Sequence, residues 1–356
     1  MLKVAVMVES FSIGGAQRVV CELVKNLDQT KIDLLVICTL SRKATLMAEE
    51  VEKLAKVVYL NTDKMPFLKR VKTVFKCLSE FKPQIINTHL TPQLYAVPWG
   101  ILHKTPVVIT AHTKPEKAFV KKIEPLIRWG VAHKKTSIVA VSQENLQLMH
   151  SYLPSSKGRS KYINNGIAID QFYRVEHPKF TYINVARQDE NKNQVAILRC
   201  FAKLYQENKG VRLVLLGDGP CHEQLCELSE KLGVQHIVDL PGAVGDVAKY
   251  YAEADVYVQA SHREAMPMSV LEAMAAGLPI VSSDVGGLRD VVTDNGYLYP
   301  DDQETALFEC MKRMLNMDAH ELECMGAASL RSVIPYSSIA MAENYMRLFA
   351  DTAREQ

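Results

Sequence analysis

What this chain lacks narrows its function before any motif is read. Across its 356 residues no apolar run reaches the roughly 18 residues that a membrane-crossing helix needs, so no membrane span is expected. The opening Met1-Leu2-Lys3-Val4-Ala5-Val6-Met7-Val8 meets Glu9 too soon for a signal peptide, and a cytoplasmic protein is expected. The eight cysteines include no Cys-x2-Cys pair; Cys221 and Cys226 lie beside His222 alone, which argues against zinc and for reduced thiols. Aromatic residues are scarce at 7%, and without a recognisable module they offer no stacking platform for nucleic acid. Repeats and low-complexity tracts are also missing. A hydrophobic fraction of 48% is enough for packed cores, which excludes disorder.

What is present is an alternation of short apolar runs with longer helical patterns. Strands are expected at Val4–Val8, Asp33–Thr39, Ile85–Thr88, Val107–Thr110 and Ile138–Val141, then at Tyr182–Ala186, Arg212–Leu216, Ile237–Leu240, Val256–Gln259 and Ile280–Ser283. Helices such as Gln194–Glu207 and His222–Leu232 fall between them. This predicts an α/β chain with two doubly wound parallel sheets, each covered by helices on both faces. Asn164-Asn165-Gly166 is a turn signal and Val175-Glu-His-Pro-Lys179 reads as a linker, so domains 1–166 and 167–336 are expected. An amphipathic helix follows Pro335, from Ser337 to Thr352.

Charge divides along the same line. Residues 1–165 hold 25 Lys+Arg against 12 Asp+Glu, and the remainder holds 17 against 28. A basic first half attracts anionic headgroups or polyphosphates. Within it, Met65 to Leu78 places Leu68, Val71, Val74, Phe75 and Leu78 on one helical face with lysines opposite. That reads as an ordinary surface helix, or, with Lys114, Lys117, Lys121, Lys122, Arg128, Lys134 and Lys135, as a face for an anionic membrane.

Candidate binding residues gather at strand ends. Gly14 and Gly15 follow the first strand and open a helix, where backbone amides can approach an oxyanion. His89 and His112 end two further strands. Arg187 and Lys192 follow Tyr182–Ala186, at the carboxyl end where α/β sheets bind ligands. Gly217-Asp218-Gly219-Pro220 turns after another strand. The densest cluster runs from Ser261 to Gly287. Pro267 suits the first turn of a helix over Ser269–Ala276, which Gly277 ends. Glu264 precedes that helix and Glu272 lies within it, so both could hold hydroxyls of a ligand whose phosphates rest at the helix start. Such a ligand is a nucleotide sugar. Two arbitrary glutamates would more simply be a solvated loop residue and a surface helix residue.

The surrounding letters favour the ligand. Glu264-Ala-Met-Pro-Met-Ser-Val-Leu-Glu272, with Glu-Ala-Met-Ala, Gly-Leu-Pro and Asp-Val-Gly-Gly segments, closely resembles the E-x7-E signature of retaining glycosyltransferases of family 4, which have the GT-B fold. Ala265-Met266 stands where many members have Gly-Phe. Ile163 to Phe172 resembles the family's interdomain Asn-Gly-Ile-Asp segment, and the resemblance covers nearly the whole chain. It implies two Rossmann-like domains facing across a cleft, with helix 337–356 crossing back onto the first. The first would bind the acceptor and the second the nucleotide sugar.

Residue by residue, the resemblance implies donor contacts from Gly15, Arg187, Lys192, Gly217, Val244, Glu264, Ala265, Met266, Pro267, Met268 and Glu272. It implies acceptor contacts from Gly14, Gly15 and His89, and catalytic roles for His112, Arg187, Lys192 and Glu264. Arg187 and Lys192 would neutralise the departing diphosphate, whose charge grows in the transition state. Glu264 would orient sugar hydroxyls and Glu272 the ribose. A front-face displacement is implied, in which the leaving phosphate takes the acceptor's proton. A hydrolase pair would instead flank the scissile bond.

With no Asp-x-Asp motif at a strand end, no metal and no cofactor are expected. The base is read by backbone, so UDP is chosen only for its frequency in the family. The expected reaction moves a hexose or N-acetylhexosamine from a nucleotide diphosphate sugar to a sugar hydroxyl on a lipid-linked polysaccharide or lipopolysaccharide precursor. It would occur in the cytoplasm, peripherally on the inner face of the plasma membrane. A soluble glycan synthase, a nucleotide-sugar epimerase and a non-enzymatic nucleotide-binding partner protein are the rivals. Nucleic acid is not an expected partner.

Overall fold

The computed structural model describes residues 1–354 except Ile13 and Ala265. Runs of β-branched and other apolar residues become strands buried on both faces, as in Val4 to Val8, where every side chain is buried. In the first sheet these are β1 (Leu2–Val8), β2 (Ile32–Cys38), β3 (Lys56–Tyr59), β4 (Ile85–His89), β5 (Val107–Ala111), β6 (Thr136–Ala140) and β7 (Ser160–Tyr162), in the order β3-β2-β1-β4-β5-β6-β7. The second contains β8 (Phe180–Val185), β9 (Val211–Leu216), β10 (Val238–Asp239), β11 (Val256–Gln259), β12 (Ile280–Ser283) and β13 (Gly296–Tyr299), in the order β10-β9-β8-β11-β12-β13. All pairings are parallel; Val4, for example, lies opposite Leu34 on one side and Ile85 on the other.

Each sheet therefore runs outward from its first strand in both directions. The reversal falls between β1 and β4 and again between β8 and β11. At such a switch point the loops leave toward opposite faces of the sheet, opening a crevice at the carboxyl ends of the strands.

The chain divides into two compact units, Met1–Gly166 with Tyr336–Gln356, and Ile167–Pro335. Within the first unit the helix Ser338–Arg354 packs on the helix Gly15–Asn26 and on β4, burying Met341, Ala342, Tyr345, Leu348 and Phe349. Gly166 lets this helix come close: a Cβ there would lie 2.6 Å from the Ser338 Cα. The second unit has its own core, in which Tyr182, Phe201, Leu213 and Val258 pack together.

Three strands escape the sequence reading, and all three lie at sheet edges: β3, β7 and β13. An edge strand pairs on one side and is only partly covered, so its residues need not be a continuous apolar run. Two local readings are corrected. Pro267, with ψ at 128°, is the last non-helical residue before the helix Met268–Ala275 rather than a member of its first turn. Leu68 does not join the core face of the helix Phe67–Phe81; it is 74% exposed, whereas Val74 and Leu78 are buried.

Gly166→Ala should destabilise the first unit by about 1–3 kcal/mol, the usual cost of overpacking, because backbone rather than a flexible side chain meets the new methyl group. Urea unfolding beside Gly158→Ala, where a Cβ meets nothing within 4 Å, checks this.

Candidate functional site

In the second unit, five loops at the carboxyl ends of the strands are tied to one another through backbone. Gly217, at φ 131°, lies against β8's continuation, and a Cβ on it would be 2.0 Å from the Ala186 carbonyl oxygen. Gly219 meets the Gln188 carbonyl in the same way, at 2.3 Å. Gln188 N–H donates to Asp218 and Gly217 N–H to Gly242. Side chains secure the same turn: the Gln188 amide donates to the Leu215 carbonyl, and its Oε1 lies 2.6 Å from His222 Nδ1.

The loop from Arg187 to Asn193 leads into the helix Gln194–Glu207. Asp189 accepts from the Lys192 backbone N–H, and Asn193 turns through the left-handed region at φ 47°. This geometry directs Lys192 to Glu264, and the two form an ion pair with side chains 21% and 10% exposed. Their low exposure strengthens the attraction and raises the cost of leaving either charge alone. Arg187 is different. Its side chain is 71% exposed, with Asp189 3.7 Å away, so it is a cation at the surface of the loop.

Asn191 binds the two loops together. Its side chain donates to the Arg263 carbonyl and its own carbonyl accepts from His262 N–H. Gly286, at φ 61°, allows the third loop to approach: a Cβ there would lie 2.1 Å from the Glu264 carbonyl oxygen. The helix Met268–Ala275 begins just beyond, and Gly277 ends it with paired bonds from Gly277 N–H to Met274 and from Leu278 N–H to Ala273. Tyr251 OH lies 3.1 Å from Glu272 Oε2 and 3.0 Å from the Ser269 carbonyl. Burial and the neighbouring Glu272 charge hold that phenol well above its usual range, so it remains a proton donor. Among the described residues His262, Asp301 and Asp302 also bring ligand-type atoms together. His262 Nδ1 is 2.9 Å from Asp301 Oδ1, a hydrogen bond that accounts for the cluster.

In the first unit the helix Gly15–Asn26 starts directly after Gly14, which has no side chain to cap it. Its first amides therefore lack a side-chain partner from that position. At the ends of β4 and β5, His89 Nδ1 lies 2.9 Å from His112 Nε2, and His89 Nε2 lies 2.8 Å from Asn87 Oδ1. His89 and Asn87 are fully buried, whereas His112 is partly open to solvent. Burial pushes His89 well below the ordinary imidazole range and lowers His112 to about 4.

Comparison with known proteins accords with this arrangement. Residues 13–171 match the family model Glycosyltransferase Family 4, and residues 167–329 match Glycosyl transferases group 1. The chain belongs to the family 4 glycosyltransferases. An uncharacterized glycosyltransferase of Methanocaldococcus jannaschii is 26% identical over 66% of this chain and 65% of its own length. The Campylobacter jejuni N-acetylgalactosamine-N,N'-diacetylbacillosaminyl-diphospho-undecaprenol 4-alpha-N-acetylgalactosaminyltransferase is 25% identical over 89% of this chain and 91% of its own. This chain spans less than two thirds of the length of the first curated relatives it matches. The Anabaena protein Alr3699/HepE, solved in complex with UDP, superposes with a TM-score of 0.81 at 17% identity, over 99% of this chain and 100% of that one. The fold is GT-B.

In this family member the structure brings Lys192 and Glu264 together and places Arg187 on the loop between β8 and Lys192. Glu272 lies on the adjoining helix, and Gly217 supports the Arg187 loop. Met266 and Pro267 are buried, so any ligand contact from them is through backbone; Met268 is partly exposed. Val244 lies in the loop between β10 and the helix Ala248–Ala252, and Ala265 lies outside the described residues. His89 and His112 form a pair that sequence treated as two separate candidates. Asn191, Gln188, Tyr251 and Gly286 were not singled out as site residues. Asn191 reaches Arg263 across 72 positions and Tyr251 reaches Glu272 across 21, with no local signal for either.

Gly286→Ala should displace the Glu264 carbonyl and destabilise the second unit by about 1–3 kcal/mol, the usual cost of overpacking; urea unfolding checks this. A second expectation concerns acid. The unfolded chain takes up protons near the ordinary 6.5, whereas His112 in the fold does so only near 4. Stability is therefore complete above about pH 6.5 and falls as pH drops toward about 4, and His112→Asn should flatten that decline in urea unfolding.

Proposed function

We propose that this protein transfers a hexose or N-acetylhexosamine, with retention of configuration and without a metal ion, from a UDP-linked donor to a sugar hydroxyl of a lipid-linked oligosaccharide or polysaccharide precursor. The observation that carries the proposal is the partly buried Lys192–Glu264 pair, with Arg187 on the same loop as Lys192, at the strand ends next to the start of a helix. Cations placed where diphosphate charge grows lower the barrier, and held in place beforehand they need little reorganisation during reaction. In this reading Lys192 and Arg187 meet the diphosphate and Glu264 accepts from sugar hydroxyls while holding Lys192. Glu272 accepts from the ribose. The acceptor oxygen attacks the anomeric carbon as the bond to the phosphate oxygen breaks, and that phosphate takes the acceptor's proton. The UDP complex of HepE and the undecaprenol-linked substrate in the Campylobacter relative's name support the donor and acceptor classes.

Lys192→Ala should abolish the thermal stabilisation given by the preferred nucleotide sugar and lower kcat by about 100-fold or more. A panel of UDP-, GDP- and ADP-sugars, followed by NMR of the product's anomeric configuration, checks both. An inverted product would overturn retention, and wild type unresponsive to every donor would overturn the transferase reading.

The acceptor class also suits the first unit's surface. No helix among the described residues is long and apolar enough to cross a membrane. Phe67 and Leu68 are exposed at the start of a helix whose Lys69, Lys72 and Lys76 are exposed too, and Leu126 and Trp129 are exposed among a second group of lysines. Apolar side chains amid lysines fit the anionic inner leaflet, where each cation contributes about 1 kcal/mol. Replacing Lys69 and Lys72 by alanine should therefore lower partition onto phosphatidylglycerol vesicles by about 30-fold, measured by co-sedimentation at fixed salt.

A further inference from the structure

The hydrogen bonds around β4 and β5 assign a proton to each ring nitrogen of the histidine pair. Asn87 Nδ2 lies 3.2 Å from the Val108 carbonyl oxygen, which can only accept, so the orientation of the Asn87 amide is settled by backbone. Its Oδ1 then faces His89 Nε2 at 2.8 Å. That oxygen too can only accept, so His89 Nε2 carries a hydrogen. A buried imidazole without a carboxylate partner is neutral, which leaves His89 Nδ1 as a lone pair. Its neighbour at 2.9 Å, His112 Nε2, must therefore donate. Neutral His112 with its proton on Nε2 presents an unprotonated Nδ1.

We propose that Asn87 and His89 are positioning residues that lock His112 in the tautomer protonated at Nε2, so that its Nδ1 accepts a hydrogen bond from a hydroxyl of the bound substrate. The identity of that hydroxyl rests on the glycosyltransfer reading; the lock is a property of the free protein. A second set of contacts secures it. Asn87 Nδ2 also lies 3.2 Å from Thr110 Oγ1, which is 2.9 Å from the hydroxyl of Tyr345 on the helix Ser338–Arg354. The alternative tautomer of His112 would point two lone pairs at each other across the His89 contact. Changing it requires His89 to give up its bond to Asn87, which would strand a buried acceptor.

Protein labelled with 15N-histidine, observed by long-range 1H–15N correlation above pH 7, tests the lock without substrate. Both rings should show the Nε2-protonated pattern, assigned by the signals lost in His89→Gln and His112→Asn. In His89→Leu, His112 should populate the other tautomer, and kcat for UDP-glucose or UDP-N-acetylglucosamine turnover should fall about tenfold or more with KM changed under threefold. His89→Gln should retain the tautomer and turn over faster than His89→Leu, because its amide can donate to Asn87 and accept from His112. A Nδ1-protonated His112 in wild type would overturn the proposal, as would His89→Leu with an unchanged tautomer and rate. Should His89→Leu fail to fold, the wild-type spectrum still decides the lock. Wild type that shows the lock yet binds neither nucleotide sugar supports the positioning of His112 and overturns its role toward a sugar substrate.

Discussion

Parallel pairing is the constraint from which the rest of the molecule follows. A parallel strand must be reached by a crossover, so every strand in a sheet ends at the same edge and its outgoing loops crowd together there. Crowded loops must satisfy their backbone groups on one another. In the second unit this makes Gly217, Gly219 and Gly286 necessary, because each lies with its Cα against a carbonyl of a neighbouring loop at distances that exclude a side chain. The same crowding brings Lys192 to Glu264, which are 72 positions apart in the chain.

The electrostatics of the two units differ in kind. In the second, charges are kept: a cation and a carboxylate shield one another from desolvation, and a buried phenol donates toward Glu272. In the first, the ends of β4 and β5 hold neutral groups. Asn87, His89, Thr110 and Tyr345 form a neutral network in which donors and acceptors are matched by direction rather than by sign. A neutral network exerts a weaker field than an ion pair, but it sets the orientation and tautomer of the one ring that is partly open to solvent.

Ten of the strands and the helices between them were legible from sequence because their signals are local. Apolar runs, a glycine stop at Gly277 and a turn at Asn164-Asn165-Gly166 each act within a few residues. The strands at β3, β7 and β13 were not legible, since a strand covered on fewer sides carries a weaker apolar pattern. The candidate site was partly legible. Glu264, Glu272, Arg187 and Lys192 are distinctive in their spacing, while Asn191 and Tyr251 act on them from other loops and leave no pattern at that distance.

Sequence by itself determined the class of the chain, the alternation that builds two parallel sheets, and the residue types offered at the strand ends. These depend on periodicity and on letters close together. Only tertiary structure decided that Lys192 pairs with Glu264, that Asn191 joins their loops, and that His89 and His112 meet in one hydrogen bond. Each of those outcomes depends on which backbone carbonyl or side-chain oxygen faces a given donor, and the packing of distant strands sets that direction.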